Sequence, residues 1–211
     1  MLQYAVCLES LRMRKGIPED IFRSAGGQLR MSEAIEKGIS RYTLYKMRDE
    51  GVLEQLSRGI YRLAELPSIG NPDLVTVSLR IPNAVICLVS ALAVHELTTQ
   101  IPHSVDIALP RTARNPSLEY PAIRVHRFSK KTWPVGVEKR IIDTVPIRIY
   151  NAEKTLADCF RYRNQLGMDI VLESLRLYAR KDDAKYDKLL EYARINRVEK
   201  TIYPYLEVAG K

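Results

Sequence analysis

Side chains that suit contact with DNA are concentrated in one short stretch of the N-terminal part of the chain. Arginine and lysine bind phosphates and guanine edges, and tyrosine hydroxyls can reach phosphates. The candidate DNA-contacting residues are Ser40, Arg41, Tyr42, Tyr45, Lys46, Arg48 and Arg58. All but Arg58 lie close enough in sequence to belong to one helix or its cap.

The segment 41–50 has the apolar spacing of a short amphipathic helix. Leu44 and Met47 share one face, and Ile35 and Ile39 are their expected packing partners. The opposite face carries Tyr42, Tyr45 and Lys46, while Arg41 lies at the N-terminal tip and Arg48 flanks the apolar face. A charged helix face is in many proteins only solvated, so this pattern alone does not establish DNA binding.

Residues around this helix supply its turn and its ends. Gly38 lies where the chain must turn between two helices, because a residue without Cβ costs least there. Ser40 suits the N-cap, although Thr43 stands where a capping box requires Glu or Gln. Gly51 can end the helix in the left-handed conformation. A helix-turn-helix is therefore predicted, with 41–50 as its second helix.

A hairpin with a basic tip is predicted directly after this helix. The segments 52–56 and 60–63 flank Ser57-Arg58-Gly59 and read as two short strands. An earlier helix over 17–25 begins with Pro18, which suits a first helical position. This order of elements is that of a winged helix-turn-helix, and the adjacent Arg-tipped hairpin favours DNA binding over a merely solvated face.

The composition describes a basic protein with no sign of long disorder. The chain has 211 residues, 46% hydrophobic and 27% charged, with a net charge of +8. That charge favours a polyanionic partner without identifying one. The apolar stretch 74–94 is interrupted by Arg80, Pro82 and Asn83, so no membrane helix is expected.

The cysteines indicate a reducing compartment. Cys7, Cys87 and Cys159 are far apart and form no CxxC pair, and each is expected to be a small buried residue. The N-terminus shows no secretory signal pattern. We therefore expect a cytoplasmic location.

The expected fold class is α+β, with an N-terminal winged helix-turn-helix followed by a mixed α+β C-terminal domain. The Pro-, Gly- and Asn-rich stretch 65–72 is the candidate linker, which gives a DNA-binding domain at 1–66 and a second domain at 71–211. Beyond the winged module, helices are predicted over 2–14, 73–79, 91–97, 152–162, 168–180 and 184–196, and strands over 84–88, 105–109, 123–128 and 145–150. Ser90 and Asn151 are the expected N-caps of two of these helices.

A nucleic-acid enzyme delivered to DNA by the winged module is the alternative function. Its candidate acid and base groups are Asp106, Glu119, Glu153, Lys154 and Asp158. A metal-dependent nuclease needs carboxylates on neighbouring strands with a lysine beside them, but the strand 123–128 lacks Glu-x-Lys. Glu153 instead suits the dipole of a helix start. We therefore expect no catalytic residues.

The histidines show no metal-ligand spacing. His95, His103 and His126 are expected on a helix surface, in a loop and on a strand, and the chain has no CxxC or HExxH motif. A Gly-rich phosphate loop is also missing, because Gly26-Gly27 is not followed by Lys-Ser or Lys-Thr. We expect neither a metal nor a cofactor.

A second basic region lies in the C-terminal domain. Basic residues beside an aromatic residue suit nucleic-acid backbones and base stacking. The candidates for a second nucleic-acid surface, with RNA as its partner, are Arg124, Arg127, Lys130 and Lys131, next to Trp133. A solvated strand end with Trp133 packed at its base accounts for the same pattern equally well.

Three stretches resemble the AbiEi family of antitoxins from bacterial type IV toxin–antitoxin systems, which act in abortive infection as a defence against phage. These are the winged segment 31–63, the segment VICLVSALAVHELTTQIPHSVDIALPR and the segment PIRIYNAEKTLADCFRYRN. The resemblance extends from about Ile17 to about Tyr178. The tail after Lys181 departs from the family pattern, so the resemblance predicts no role for it.

The resemblance implies a transcriptional autorepressor that is not an enzyme. Its winged domain would bind inverted repeats in the double-stranded DNA of its own promoter. Its C-terminal domain, 71–211, would neutralise a cognate nucleotidyltransferase toxin without forming a stable complex with it. No metal, cofactor or membrane partner is implied. RNA binding by the C-terminal domain would fit an antitoxin that acts on the RNA substrate of the toxin.

Overall fold

The computed structural model describes residues 17–208, and this part of the chain divides into two compact units. The first unit contains the described residues up to Pro72 together with Asp143–Val145. The second contains Asp73–Ile142 and the described residues from Pro146 onward. The domain boundaries expected from the sequence, 1–66 and 71–211, stay predictions. The predicted helix 2–14 and Cys7 lie outside the described residues.

The first unit is a winged helix-turn-helix, as the sequence predicted. Its elements are α1 (Pro18–Ser24), β1 (Gln28–Arg30), α2 (Met31–Glu36), α3 (Arg41–Asp49), β2 (Leu53–Ser57) and β3 (Ile60–Leu63). Pro18 occupies the start of α1, where its missing N–H costs nothing. The helices and strands enclose a small core built around Phe22, Ala34 and Leu44.

The wing is a three-stranded sheet with β3 at its centre. The strand order is β1-β3-β2, and both pairings are antiparallel. The short strand β1 was not predicted, because three residues are too few for a periodic pattern. All four residues of β3 are buried, since the strand is paired on both edges and covered on its core face.

One packing prediction for the first unit was wrong. Ile39 is buried as expected, but Ile35 is 39% exposed. Ala34 takes the core position of the six-residue helix α2, and the next residue along a helix points about 100° away. Ile35 therefore faces outward.

The second unit is a five-stranded sheet covered by helices, which confirms the α+β fold class. Its elements are α4 (Pro72–Arg80), β4 (Val85–Ile86), α5 (Leu88–Val94), β5 (Val105–Pro110), β6 (Ile123–Phe128), β7 (Val137–Ile142), β8 (Val145–Tyr150), α6 (Ala152–Arg161), α7 (Arg163–Leu166), α8 (Met168–Ala179), α9 (Tyr186–Asn196) and α10 (Glu199–Val208). The strand order is β6-β5-β4-β8-β7, with β5 parallel to β6 and antiparallel to β4. None of the helices between residues 17 and 208 has both the length and the apolar composition needed to span a bilayer.

Several predicted elements of this unit needed correction. Helix α5 begins two residues before Ser90, with Cys87 at its N-cap. The Ser90 hydroxyl instead accepts a hydrogen bond from the Asp106 N–H at 2.9 Å. Strand β7 was missed because its sequence, VEKRII, does not alternate. The C-terminus holds a third helix, α10, which carries Pro204 inside it.

The main core of the second unit is built largely by helices. Leu156 and Phe160 of α6 pack with Ala193 of α9 and with Ile202 and Leu206 of α10, and all five are buried. Helices from the chain beyond Lys181 therefore contribute to the same core as α6. The two described cysteines, Cys87 and Cys159, are also buried and free, as expected.

Candidate DNA-binding surface

The ends of α3 are built as the sequence predicted. The Ser40 hydroxyl accepts a hydrogen bond from the Thr43 N–H at 3.0 Å and lies 2.8 Å from the Thr43 hydroxyl. Ser40 therefore serves first as the N-cap of α3. Gly38 and Gly51 have φ angles of +91° and +74°, a conformation that L side chains rarely adopt.

Helix α3 presents two opposite faces. Leu44 and Met47 are buried in the core, whereas Tyr42 is 77% exposed and Tyr45 is 41% exposed. Lys46 is exposed on the same side as these rings. The structure thus brings the predicted tyrosines and lysine together on one outward face.

Two of the basic residues predicted to contact DNA, Arg48 and Lys46, lie close to neighbouring carboxylates. The Arg48 guanidinium bonds the Asp49 carboxylate at 2.7 Å, and this hydrogen bond raises the pKa of Arg48. The same guanidinium lies 5.3 Å from the centre of the Tyr45 ring. Lys46 lies 3.7 Å from Glu50. Within residues 17–208, the Arg41 side chain has no such partner.

The wing places Arg58 at an exposed turn. Arg58 and Gly59 connect β2 to β3, and Gly59 has a φ angle of +76°. The Gly59 carbonyl accepts a hydrogen bond from the Met31 N–H at 2.8 Å, which ties the tip of the wing to the start of α2.

Arg62 is a structural residue that sequence reasoning did not identify. This buried side chain donates to Glu54 across the β2–β3 pairing and to the Pro67 carbonyl. Its place opposite Glu54 in a predicted hairpin was the available signal.

The residues of the second basic region predicted in the C-terminal domain do not all lie on one surface. Arg124 and Arg127 are three residues apart on β6, so they point to opposite faces of the sheet. Arg127 donates to the carbonyls of Pro110 and Ala113, which fixes the loop after β5. Arg124 lies 3.9 Å from Asp106.

Trp133 is held by polar contacts at both its ring nitrogen and its ring face. Its indole N–H donates to the Ala108 carbonyl at 3.3 Å, and the Arg148 guanidinium lies 4.9 Å from its ring centre. Lys130 and Lys131 are exposed in the turn before it. Of the two interpretations, the contacts of Trp133 favour the packed strand end over base stacking.

Three of the four carboxylates considered for a nuclease lie in internal contacts, whereas Glu119 is exposed. The buried Asp106 lies 2.8 Å from the His126 Nε2, and Glu153 accepts a hydrogen bond from the Tyr178 hydroxyl at 2.9 Å. Asp158 bonds Lys154 inside the core. Across residues 17–208, no three His, Cys, Asp or Glu side chains come together in a way that could hold a metal ion.

His95 does not lie on a helix surface, which corrects its predicted position. It is buried, and its Nε2 lies 2.7 Å from the Tyr150 carbonyl oxygen. Burial lowers the pKa of His95, because the charged imidazolium is poorly solvated there. The neutral ring therefore acts as part of the packing between α5 and the end of β8.

Comparisons with known proteins agree with the winged module and with the overall fold. Residues 18–64 match the family described as "Transcriptional regulator, AbiEi antitoxin". The crystal structure of the RV2827C protein from Mycobacterium tuberculosis is 12% identical in sequence, with a TM-score of 0.52 over 90% of this chain and 79% of that chain. At that identity the likeness concerns the fold alone. No curated protein matches the chain. The winged module at residues 18–64 is therefore similar to the AbiEi antitoxin family of transcriptional regulators.

Proposed function

We propose that this protein represses its own operon by binding promoter DNA through α3 and the wing. The observation that carries the proposal is the outward face of α3, with Arg41, Tyr42 and Tyr45, in the same unit as the Arg58 wing tip. In a helix-turn-helix the second helix enters the major groove and its N-terminal residues meet base edges. Arg58 would then contact phosphates beside the groove.

We infer that the operator contains inverted repeats and that one copy of the chain binds each repeat. A two-fold arrangement of half-sites is the usual counterpart of paired winged modules. The AbiEi match of residues 18–64 supports transcriptional regulation and a role as antitoxin.

The second unit is the proposed antitoxin domain, which counters a nucleotidyltransferase toxin without a stable complex. The internal contacts of Asp106, Glu153 and Asp158 argue against the nuclease alternative. Adding EDTA distinguishes the two functions. A metal-dependent nuclease would lose its activity, whereas operator binding would not change.

Binding of the full chain to its upstream promoter fragment is expected to fall steeply with salt. If the protein neutralises about 5–8 phosphates, a plot of log affinity against log salt should have a slope of about −5 to −7, because bound cations release condensed counterions. Fluorescence anisotropy over a salt series measures this slope. Affinity that does not change between low and physiological salt would contradict the proposed DNA contact.

Replacing Arg41 and Arg58 together by alanine is expected to abolish most repression while toxin rescue persists. Loss of a base-contacting arginine typically costs about 1–3 kcal/mol, and loss of a phosphate contact also lowers the salt slope by about 1. A promoter fusion measures repression, and growth with the induced toxin gene measures rescue.

The matched control is the double variant Lys188→Ala and Lys200→Ala, which removes two exposed positive charges from the second unit. It should repress normally. Simultaneous loss of repression and rescue in a folded Arg41→Ala, Arg58→Ala variant would mean that both activities use one surface.

A further inference from the structure

The second half of α3 offers little net charge to a DNA groove. Arg48 is bonded to Asp49 at 2.7 Å, and Lys46 lies within 3.7 Å of Glu50. Each of these cations is thus opposed by a carboxylate, one from Asp49 in α3 and one from Glu50 at its C-cap. What the outward face presents beyond Arg41 is mainly the two aromatic rings of Tyr42 and Tyr45.

Both rings lie on the part of α3 that would meet base edges if the helix entered a major groove. Tyr42 lies in the first turn, is 77% exposed, and has no hydrogen bond or ion pair with any residue between 17 and 208. Tyr45 follows three residues later, so the two Cβ atoms are about 5–6 Å apart. That spacing compares with a base step of about 3.4 Å. The two rings can therefore meet base pairs one or two steps apart.

Arg48 limits how Tyr45 can be used. Its guanidinium lies 5.3 Å from the ring centre and is itself fixed by Asp49. One face of the ring is occupied by this contact, which leaves the opposite face and the ring edge for a partner. The negative face of an aromatic ring attracts the C–H bonds of a small apolar group such as a methyl.

We propose that Tyr42 and Tyr45 recognise thymine through its C5-methyl group, at two positions one or two base pairs apart in each half-site. Thymine is the base that presents an apolar group in the major groove, and apolar side chains are its usual partners. This inference rests on the proposed DNA binding by α3. Beyond that binding, the inference specifies thymine as the base that α3 selects and the C5-methyl group as the part of the base that is contacted.

The test compares promoter duplexes synthesised with thymine or with uracil at every thymine position. Uracil keeps the base pairing and removes the C5-methyl group. Burial of one methyl group is worth about fourfold in affinity, so the two methyl contacts of a half-site should make wild-type protein bind the thymine half-site about sixteenfold more tightly. In the Tyr42→Ala, Tyr45→Ala double variant this preference should disappear. In the Tyr42→Phe, Tyr45→Phe variant it should persist, because the ring remains.

Three results would overturn the inference. The first is equal binding of both duplexes by the wild-type protein, which would leave the proposed DNA binding intact. The second is an unchanged thymine preference in the folded double alanine variant, which would place the methyl recognition elsewhere. Binding of neither duplex would contradict the proposed function as well. Arg58→Ala is the control, since a weaker phosphate contact should lower both affinities and keep their ratio.

Discussion

Lys154→Met is expected to lower the free energy of unfolding of the second unit by about 3–5 kcal/mol. The Lys154 ammonium lies 2.5 and 2.6 Å from the two oxygens of the Asp158 carboxylate, and both side chains are 0% exposed. The Asn196 amide donates to the same carboxylate at 2.7 Å. Removing the ammonium would leave a carboxylate buried without its counter-ion, and the remaining amide cannot neutralise it.

The double variant Lys154→Met, Asp158→Leu distinguishes this cause from a simple loss of packing. It should be more stable than Lys154→Met alone, because a buried pair replaced by apolar groups no longer carries an uncompensated charge. Trp133 is the chain's single tryptophan and lies in the second unit, so its fluorescence in a urea titration follows that unit. The exposed Lys188→Met is the control. A Lys154→Met variant as stable as this control would refute the argument.

Ile202→Ala in α10 is expected to cost about 2–5 kcal/mol, the range for a buried Ile reduced to Ala. Ile202 is fully buried and packs with residues of α6 and α9 in the main core of the second unit. The chain beyond Lys181, for which the family resemblance predicted no role, would then be essential for the stability of the second unit. Toxin rescue should weaken with the loss of stability.

The matched control is the next residue of the same helix. Tyr203 is 49% exposed, so Tyr203→Ala should change the urea midpoint little. Circular dichroism of both variants separates loss of the helix from loss of core packing. Equal effects of the two substitutions would mean that α10 lies on the core without stabilising it.

The winged module was predictable because its signals are local. The cap at Ser40, the glycines at 38 and 51 and the spacing of Leu44 and Met47 all act within a few residues, and each is present in the structure. Strand β1 was missed because its existence depends on pairing with β3, far along the chain. A three-residue segment is too short for its sequence to indicate a pairing partner so far along the chain.

The charge contacts of the candidate surface were harder to predict than its exposed residues. Exposure follows the helical period, so Tyr42 and Tyr45 were correctly placed on the outward face. Residues i and i+1 do not normally face each other on a helix, which is why the Arg48–Asp49 pair was not expected. The burial of Lys154 was also not predicted from the sequence. It depends on helix α9, where Asn196 donates a hydrogen bond to Asp158, the partner of Lys154.

The central position of β3 makes the wing a stiff part of the module. Strand β3 is paired with β1, which leads directly into α2, and the Gly59 carbonyl at the wing tip is bonded to the first residue of that helix. A hairpin joined to the rest of the module only by its ends would have to be ordered when it met DNA, at an entropic cost of about 0.5–1.5 kcal/mol for each immobilised side chain. The distance from Arg58 to α3 is instead set before any DNA arrives. The protein should therefore fit half-sites of one width. Inserting one base pair between the site contacted by α3 and the site contacted by Arg58 should weaken binding.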